Sequence, residues 1–495
     1  MSLWNELERS FHNHSHQKAA LSPNGRWVTY GELMNTVNEK VKILREIIPS
    51  GSKVAVIDTH PFLEMVHIVS LIRLNVTIIP LATKYGEDRC NQIITHIKPD
   101  FIVSSAEQHI PSKVFVQCIE MGTRVTTDEN TILDLEIQLD EESKRNGETL
   151  PSSFIMYTSG STGDPKGAII TYQNILSNIQ DIISYFKVTA QDHILINRSL
   201  SHASVLTGEL LYGLISGARI SYYTETFIPR RLLRFIEEKE ITVFCSTPTV
   251  FNQIALDKSK YQCPSLKRVA LMGEYLHKQV ALQVRKRFPH VEFYMNYGQT
   301  EASPRITYLP SRYFTAKESC IGIPLPSIEI DIVDEFGASV DLGAKGELIV
   351  KGPNVFKGYW NLPKLTVHKL KNGWLYTGDI VSLGEDGYIY IFGRRDDMII
   401  RAGMNIYPKE IEDVLLEDHR VREVVVFGTK EPKYGQKINV HVIPDEAVEL
   451  TVSNIMGICR KELASYQYPD EIEIVNEIPK NLAGKIMRKQ VVYHN

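Results

Sequence analysis

The chain has 495 residues, 43% of them hydrophobic and 23% charged, and its 55 basic and 59 acidic side chains leave a net charge of −4. That length predicts two or more domains with ample core, and the near balance of charge removes the electrostatic case for nucleic acid, so an anionic ligand needs a local site. The scattered cysteines, Cys90, Cys118, Cys245, Cys263, Cys320 and Cys459, form no Cys-x-x-Cys pair. This argues against a disulfide frame or thiolate zinc site and reads as small buried hydrophobes in a reducing compartment. No stretch approaches the roughly 18 apolar residues of a membrane helix, and the N-terminus lacks the apolar core of a signal peptide. The expectation is a cytoplasmic protein with no membrane insertion. His12, His14 and His16 alternate in a polar segment and read as solvated rather than metal-bound.

In chain order, residues 28–33 predict a strand running into a helix, and 53–57 is a short apolar run of the buried parallel-strand kind. A helix over 62–74 leads to a strand over 76–81. Further strands are expected at 101–104, 154–158, 193–197 and 218–222, with helical stretches between several of them; this alternation favours a layered α/β sheet. Residues 126–150 are acidic and weakly patterned and read as irregular. The theme repeats with strands at 241–245, 266–272 and 291–296 and helices at 249–255 and 277–287. After Ile321, Gly, Pro and Asp punctuate short runs at 328–334, 346–351 and 387–392, an antiparallel β pattern. A charged linker over 393–397 precedes about 100 residues of small-domain size. The fold class is therefore α/β, with a large N-terminal domain over 1–393, built of two layered α/β sheets plus a β-barrel-like region. A small mobile α+β C-terminal domain spans 394–495.

Residues 157–167, Tyr-Thr-Ser-Gly-Ser-Thr-Gly-Asp-Pro-Lys-Gly, follow an apolar strand. Glycines turn N–H groups inward, hydroxyls add donors without bulk, and Lys166 supplies charge, so this loop suits a polyphosphate. No Gly-Lys-Ser/Thr triplet opens a helix here, which sets it apart from the P-loop NTPases.

Four more segments join that loop in order: Tyr297-Gly-Gln-Thr-Glu-Ala-Ser303, Tyr376-Thr-Gly-Asp-Ile380, the stretch from Gly393-Arg-Arg-Asp to Ile411-Glu412, and Asn481-Leu-Ala-Gly-Lys-Ile-Met-Arg488. Together they resemble the adenylate-forming superfamily of acyl-CoA synthetases, peptide-synthetase adenylation domains and luciferases. The resemblance implies an ATP- and magnesium-dependent ligase: a carboxylic acid becomes an acyl-adenylate, and a thiol then displaces AMP. By the same resemblance Thr158, Ser159, Gly160, Ser161, Thr162, Gly163 and Lys166 cradle the β- and γ-phosphates. Tyr297 faces adenine, although a core tyrosine is an equal reading of that residue alone. Thr300 donates to the α-phosphate, Glu301 binds Mg²⁺, and Asp379 and Arg394 hold the ribose, where a turn-forming Asp and a solvated Arg are the plain alternatives. Lys485 would ordinarily be a surface charge; the match makes it the catalytic lysine bridging carboxylate and α-phosphate. Asp396 corresponds to the hinge about which the small domain rotates. Residues 401–405 would then line the path of the thiol.

For the acid, His202 stands where amino-acid-activating relatives carry an Asp, which disfavours a free α-amino acid and makes His202 a catalytic and substrate-binding candidate. Gly273, Glu274, Gly298 and Ser303 complete the expected substrate pocket. Glu209 reads as an exposed helix carboxylate, or as a partner for a distal amino group. The acceptor is expected to be CoA, with an aryl or fatty acid as co-substrate. The alternative is a stand-alone adenylation enzyme loading an acyl or aryl carrier protein through its phosphopantetheine. Lys409, Lys433 and Lys437 are the candidates for the phosphates of CoA.

Overall fold

The computed structural model describes residues 2–83, 86–105, 117–121, 135–138, 152–158, 165–317, 319–445, 448–480 and 486–493. The first strand-to-helix transition shows how the local sequence sets its elements. Strand Trp27–Thr29 enters helix Tyr30–Ile47 through a reciprocal cap: Thr29 Oγ1 accepts from the Glu32 amide at 3.2 Å, and Glu32 accepts from the Thr29 amide at 2.8 Å. Two helix-terminal donors are thereby satisfied.

One sheet runs in the order Gly358–Tyr359, Lys166–Thr171, Ser153–Thr158, Thr77–Pro80, Lys53–Ile57, Phe101–Ser104, Gln117–Met121, Leu135–Gln138. Its central strands are parallel, and the apolar run at Lys53–Ile57 is buried as that arrangement requires. Leu135–Gln138 corrects the expectation of an irregular segment. It pairs antiparallel with Gln117–Met121, and two alternating apolar residues, Leu135 and Ile137, were too short a signal to stand out from the acidic residues around them.

The second sheet is larger. Its parallel centre joins Arg219–Tyr222, His193–Ile196, Val243–Ser246, Arg268–Met272 and Glu292–Gly298. From there it continues antiparallel through Arg305–Leu309, Cys320–Pro324, Ile389–Arg394, Trp374–Leu383, Gly346–Lys351 and Glu329–Val333. The antiparallel region expected after Ile321 thus extends this sheet. Its last strand in sequence ends at Arg394, a 3₁₀ turn covers Arg395–Asp397, and a separate lobe follows. There Val421–Glu431, Gly435–Pro444 and Glu471–Ile474 form a sheet, on which Pro408–Leu416 and Val452–Glu462 bury Ile411, Leu415 and Ile455. The cysteines with described side chains are buried and unbridged. Among the described residues no helix is long and apolar enough to cross a membrane.

Candidate active site

Strand Glu292–Gly298 delivers Tyr297 to the C-terminal edge of the second sheet, where open α/β sheets bind ligands. The chain then doubles back. A Cβ at Gly298 would lie 1.9 Å from the Pro304 carbonyl oxygen, so only glycine permits the turn that presents Thr300 and Glu301. The Tyr297 hydroxyl donates to Asp379 Oδ2 at 2.6 Å, and Arg394 Nη1 donates to Asp379 Oδ1 at 3.1 Å. Asp379 and Arg394 are direct cross-strand partners, which fixes their spacing. Burial, then the Asp379 carboxylate, pushes the Tyr297 phenol well above its ordinary value and keeps it a proton donor.

The turn carrying Asp379 is itself tied down. Thr377 Oγ1 accepts from the Asp379 amide at 3.1 Å, and Glu347 accepts from the Gly378 amide at 2.8 Å while also pairing with Arg395 at 2.6 Å. Gly378 has φ +78°, and a Cβ there would stand 3.0 Å from Arg394 Nη2. Lys369, which sequence reasoning missed, donates to the carbonyls of Tyr376 and Thr377 from beneath this turn.

Glu301 is half-buried and accepts from the Tyr359 hydroxyl at 2.5 Å. Tyr359 pairs with strand Lys166–Thr171, so Lys166, half-buried at the start of that strand, and Glu301 share one neighbourhood. Among the described residues no group of three His, Cys, Asp or Glu forms a metal cage. A lone carboxylate fits Mg²⁺, which keeps waters and nucleotide oxygens as its other ligands. Ser159, Gly160, Ser161, Thr162, Gly163 and Lys485 lie outside the described residues, as does the side chain of Thr158.

On the acid side, His202 caps the short helical turn Ala203–Val205. The residue is exposed. The desolvating surroundings first, and the Arg198 guanidinium second, push it down to about 4, so it is neutral at pH 7. Glu209 corrects the expectation of an exposed carboxylate. It lies in the π-helix Leu206–Leu211, fully buried, and pairs with Arg198 at 2.6 Å. Burial raises its pKa and Arg198 opposes that shift. Arg305 is also buried, donating to the Tyr185 hydroxyl at 2.7 Å, which donates in turn to Asn296 at 2.7 Å. Arg305 lies two residues past the Tyr297–Ser303 motif, and its charge in an otherwise apolar strand was the available signal.

Three of the candidate residues have partners within the protein. Ser303 is buried and its hydroxyl is committed to the Asn354 carbonyl at 2.7 Å, so it holds the turn instead of meeting the acid. Glu274 accepts from both the amide and hydroxyl of Thr249 at 3.0 and 2.6 Å, anchoring the start of helix Pro248–Leu256. Lys409 bonds Ser319 at 2.9 Å and Asp413 at 2.6 Å and lies over the Tyr275 ring. Gly273 and Gly298 are exposed. Asp396 is exposed in the Arg395–Asp397 turn, and residues 401–405 form a largely exposed hairpin.

Tyr297, Asp379 and Arg394 thus form one hydrogen-bonded cluster beside the turn that carries Glu301. The model of the AMP-binding enzyme family matches residues 7–360, and that of its C-terminal domain matches 410–485. The chain belongs to the AMP-binding enzyme family and is an AMP-forming, ATP-using acid–thiol ligase of the acyl-CoA synthetase type. It is 31% identical over 340 residues to a feruloyl-CoA synthase of Amycolatopsis sp, covering 68% of this chain and 69% of that one. It is 32% identical over 348 residues to a long-chain-fatty-acid–CoA ligase of Bacillus subtilis, covering 69% and 61%. Its fold matches o-succinylbenzoate CoA synthetase of Bacillus subtilis, solved with its acyl-adenylate intermediate, at TM-score 0.83 and 25% identity over 99% of this chain and 98% of that one.

Proposed function

We propose that the chain joins an aryl or fatty carboxylic acid to coenzyme A in the cytoplasm. The observation that carries this reading is the Asp379 centre, fixed by Tyr297 and Arg394 at the strand ends, in a chain whose relatives include feruloyl- and fatty-acyl-CoA ligases.

The obstacle in the first step is electrostatic, since a carboxylate must approach a phosphate; positive charge and oriented donors matter more than a nucleophilic side chain. Asp379 accepts the ribose hydroxyls on lone pairs its two partners leave free. Thr300 donates to the α-phosphate, and residues 158–163 with Lys166 hold the β- and γ-phosphates. Glu301 holds Mg²⁺, which when bound offsets phosphate charge. Lys485 bridges the acid oxygen and the α-phosphate as the new P–O bond forms and pyrophosphate leaves. His202, neutral at pH 7, orients the acid by hydrogen bonding without adding charge. Rotation about Asp396 then withdraws Lys485, and residues 401–405 guide the thiol, whose sulfur attacks the acyl carbon as AMP departs. The small domain is the moving part.

A carrier protein's phosphopantetheine is the second acceptor worth testing. Two of the three cations considered for the CoA phosphates already have partners in this arrangement, Lys409 with Ser319 and Lys437 with Glu471 at 2.5 Å. The deciding experiment is acid-dependent pyrophosphate exchange across aryl, short-chain and long-chain acids, followed by AMP release with CoA and with a phosphopantetheinylated carrier. AMP release that needs the carrier and ignores CoA would replace the primary reading.

A further inference from the structure

Residues 353–360 lie between the two sheets and are bonded to both. On one side they are stitched to the turn that carries Glu301. Asn354 is fully buried and donates through Nδ2 to the carbonyls of Ala302 at 2.8 Å and Arg305 at 3.3 Å. Its own carbonyl accepts from Ser303 Oγ at 2.7 Å, and the Phe356 amide donates to the Glu301 carbonyl at 2.9 Å. On the other side Gly358–Tyr359 pairs antiparallel with Lys166–Thr171, the strand that leaves the glycine-rich loop. The amides of Lys357 and Trp360 reach the Ile169 and Gly167 carbonyls at 2.9 and 2.8 Å. Asn174, on the helix after that strand, donates to the carbonyls of Pro353 at 2.7 Å and Val355 at 3.0 Å. The segment is a strap whose position both sheets fix at once.

Buried backbone groups must find partners, which accounts for most of these bonds. It does not account for the bond from the Tyr359 hydroxyl to Glu301 Oε1 at 2.5 Å. The Tyr359 ring packs edge-on against Phe356 with centroids 4.9 Å apart, a contact that phenylalanine would make equally well. What the hydroxyl adds is a donor aimed at Glu301. Burial first, and the Glu301 carboxylate second, push the phenol far above its ordinary value, so it remains that donor at any physiological pH.

A carboxylate offers about four lone-pair sites, so one accepted hydrogen bond leaves others for a cation. Mg²⁺ demands near-ideal octahedral geometry, and a ligating carboxylate free to turn among rotamers meets that demand poorly. Carboxylates that bind metals are accordingly held by hydrogen bonds from outside the coordination sphere. We propose that Tyr359 is a positioning residue for the metal: carried on the strap, it fixes the Glu301 carboxylate relative to the strand that leaves the glycine-rich loop. The protein's ligand to the cation and its grip on the phosphates are then set by one element. This rests on the reading of Glu301 as the Mg²⁺ ligand and of that loop as the phosphate cradle.

The test titrates Mg²⁺ calorimetrically into the ATP complex of the full chain, with protein in excess and no acid present, so that metal binding is read apart from turnover. Tyr359→Phe removes one oxygen and keeps the ring against Phe356; Glu301→Gln removes the charge itself. Tyr359→Phe is expected to weaken Mg²⁺ binding by about 10–100-fold and to change ATP binding in EDTA by less than about threefold. The Mg²⁺ concentration giving half-maximal acid-dependent pyrophosphate exchange should rise by the same factor. A hydroxyl with a merely structural role would instead lower metal-free ATP binding in step with metal binding. That result, or unchanged Mg²⁺ affinity in Tyr359→Phe beside a loss in Glu301→Gln, overturns the proposal and leaves Glu301 as the metal ligand. Unchanged affinity in Glu301→Gln overturns that reading as well.

Discussion

At the nucleotide end of the cleft the functional side chains are tied to one another: Tyr297 and Arg394 converge on Asp379, and Tyr359 holds Glu301. Near the ends of the parallel strands of the second sheet Arg198, Glu209 and Arg305 come from separate segments, and among the described residues each keeps a buried polar atom without a partner. The first group is fixed by its own hydrogen bonds, whereas the second leaves bonding capacity unused. The two differ in how much of their geometry the fold alone determines.

That contrast can be broken by substitution. The largest effect is expected at Lys485: Lys485→Ala should lower acid-dependent pyrophosphate exchange by about 10³-fold or more, while a preformed acyl-adenylate still gives thioester. Equal loss of both half-reactions would remove the lysine from its assigned role. Asp379→Ala strikes the preformed end and strands Arg394. A fall of about 100-fold in kcat/KM for ATP, with the ranking of acids unchanged, would uphold the division of labour. A changed ranking would mean that the two ends are not independent.

Asp396→Pro should spare exchange and slow thioester formation by about 10-fold or more, because proline fixes φ where a hinge must change it. Undiminished turnover would refute the hinge. His202→Ala should alter the ranking of acids more than the KM for ATP. This residue also leaves a pH signature. Its folded pKa of about 4 lies below the ordinary 6.5, so between those values the unfolded chain binds more protons. Its contribution to stability is full above pH 6.5 and is lost as pH falls toward 4. Urea midpoints followed over that range should fall less steeply in His202→Ala. The smallest effect belongs to Lys409→Ala, about 0.2–1 kcal/mol in stability, as for other partly solvated pairs. A loss beyond 2 kcal/mol by urea unfolding would assign Lys409 a greater structural part.

The same contrast explains what could be read from the chain beforehand. That Tyr297, Asp379 and Arg394 would come together was legible because each stands in a contiguous motif, and the alternating α/β pattern gave the two sheets. Glu209 was misread because a helix of ordinary pitch with a lone carboxylate predicts a solvated face, whereas here a π-helix and Arg198, eleven residues earlier, turn it inward. The hydrogen-bond partners of Ser303 and Glu274, the Asn354 carbonyl and Thr249, lie 51 and 25 residues away and were not readable from their neighbours in sequence. The engagement of Lys409 was equally invisible, since Tyr275 and Ser319 reach it from the other lobe.

Glu347 bears on two parts of the molecule at once. One of its oxygens steadies the Gly378 amide beneath Asp379, and the other grips Arg395, the residue next to the proposed pivot. Arg395 lies one residue before the proposed pivot, so this grip fastens the start of the linker to the turn that carries Asp379. A single carboxylate thus holds both, and its removal would loosen the two together.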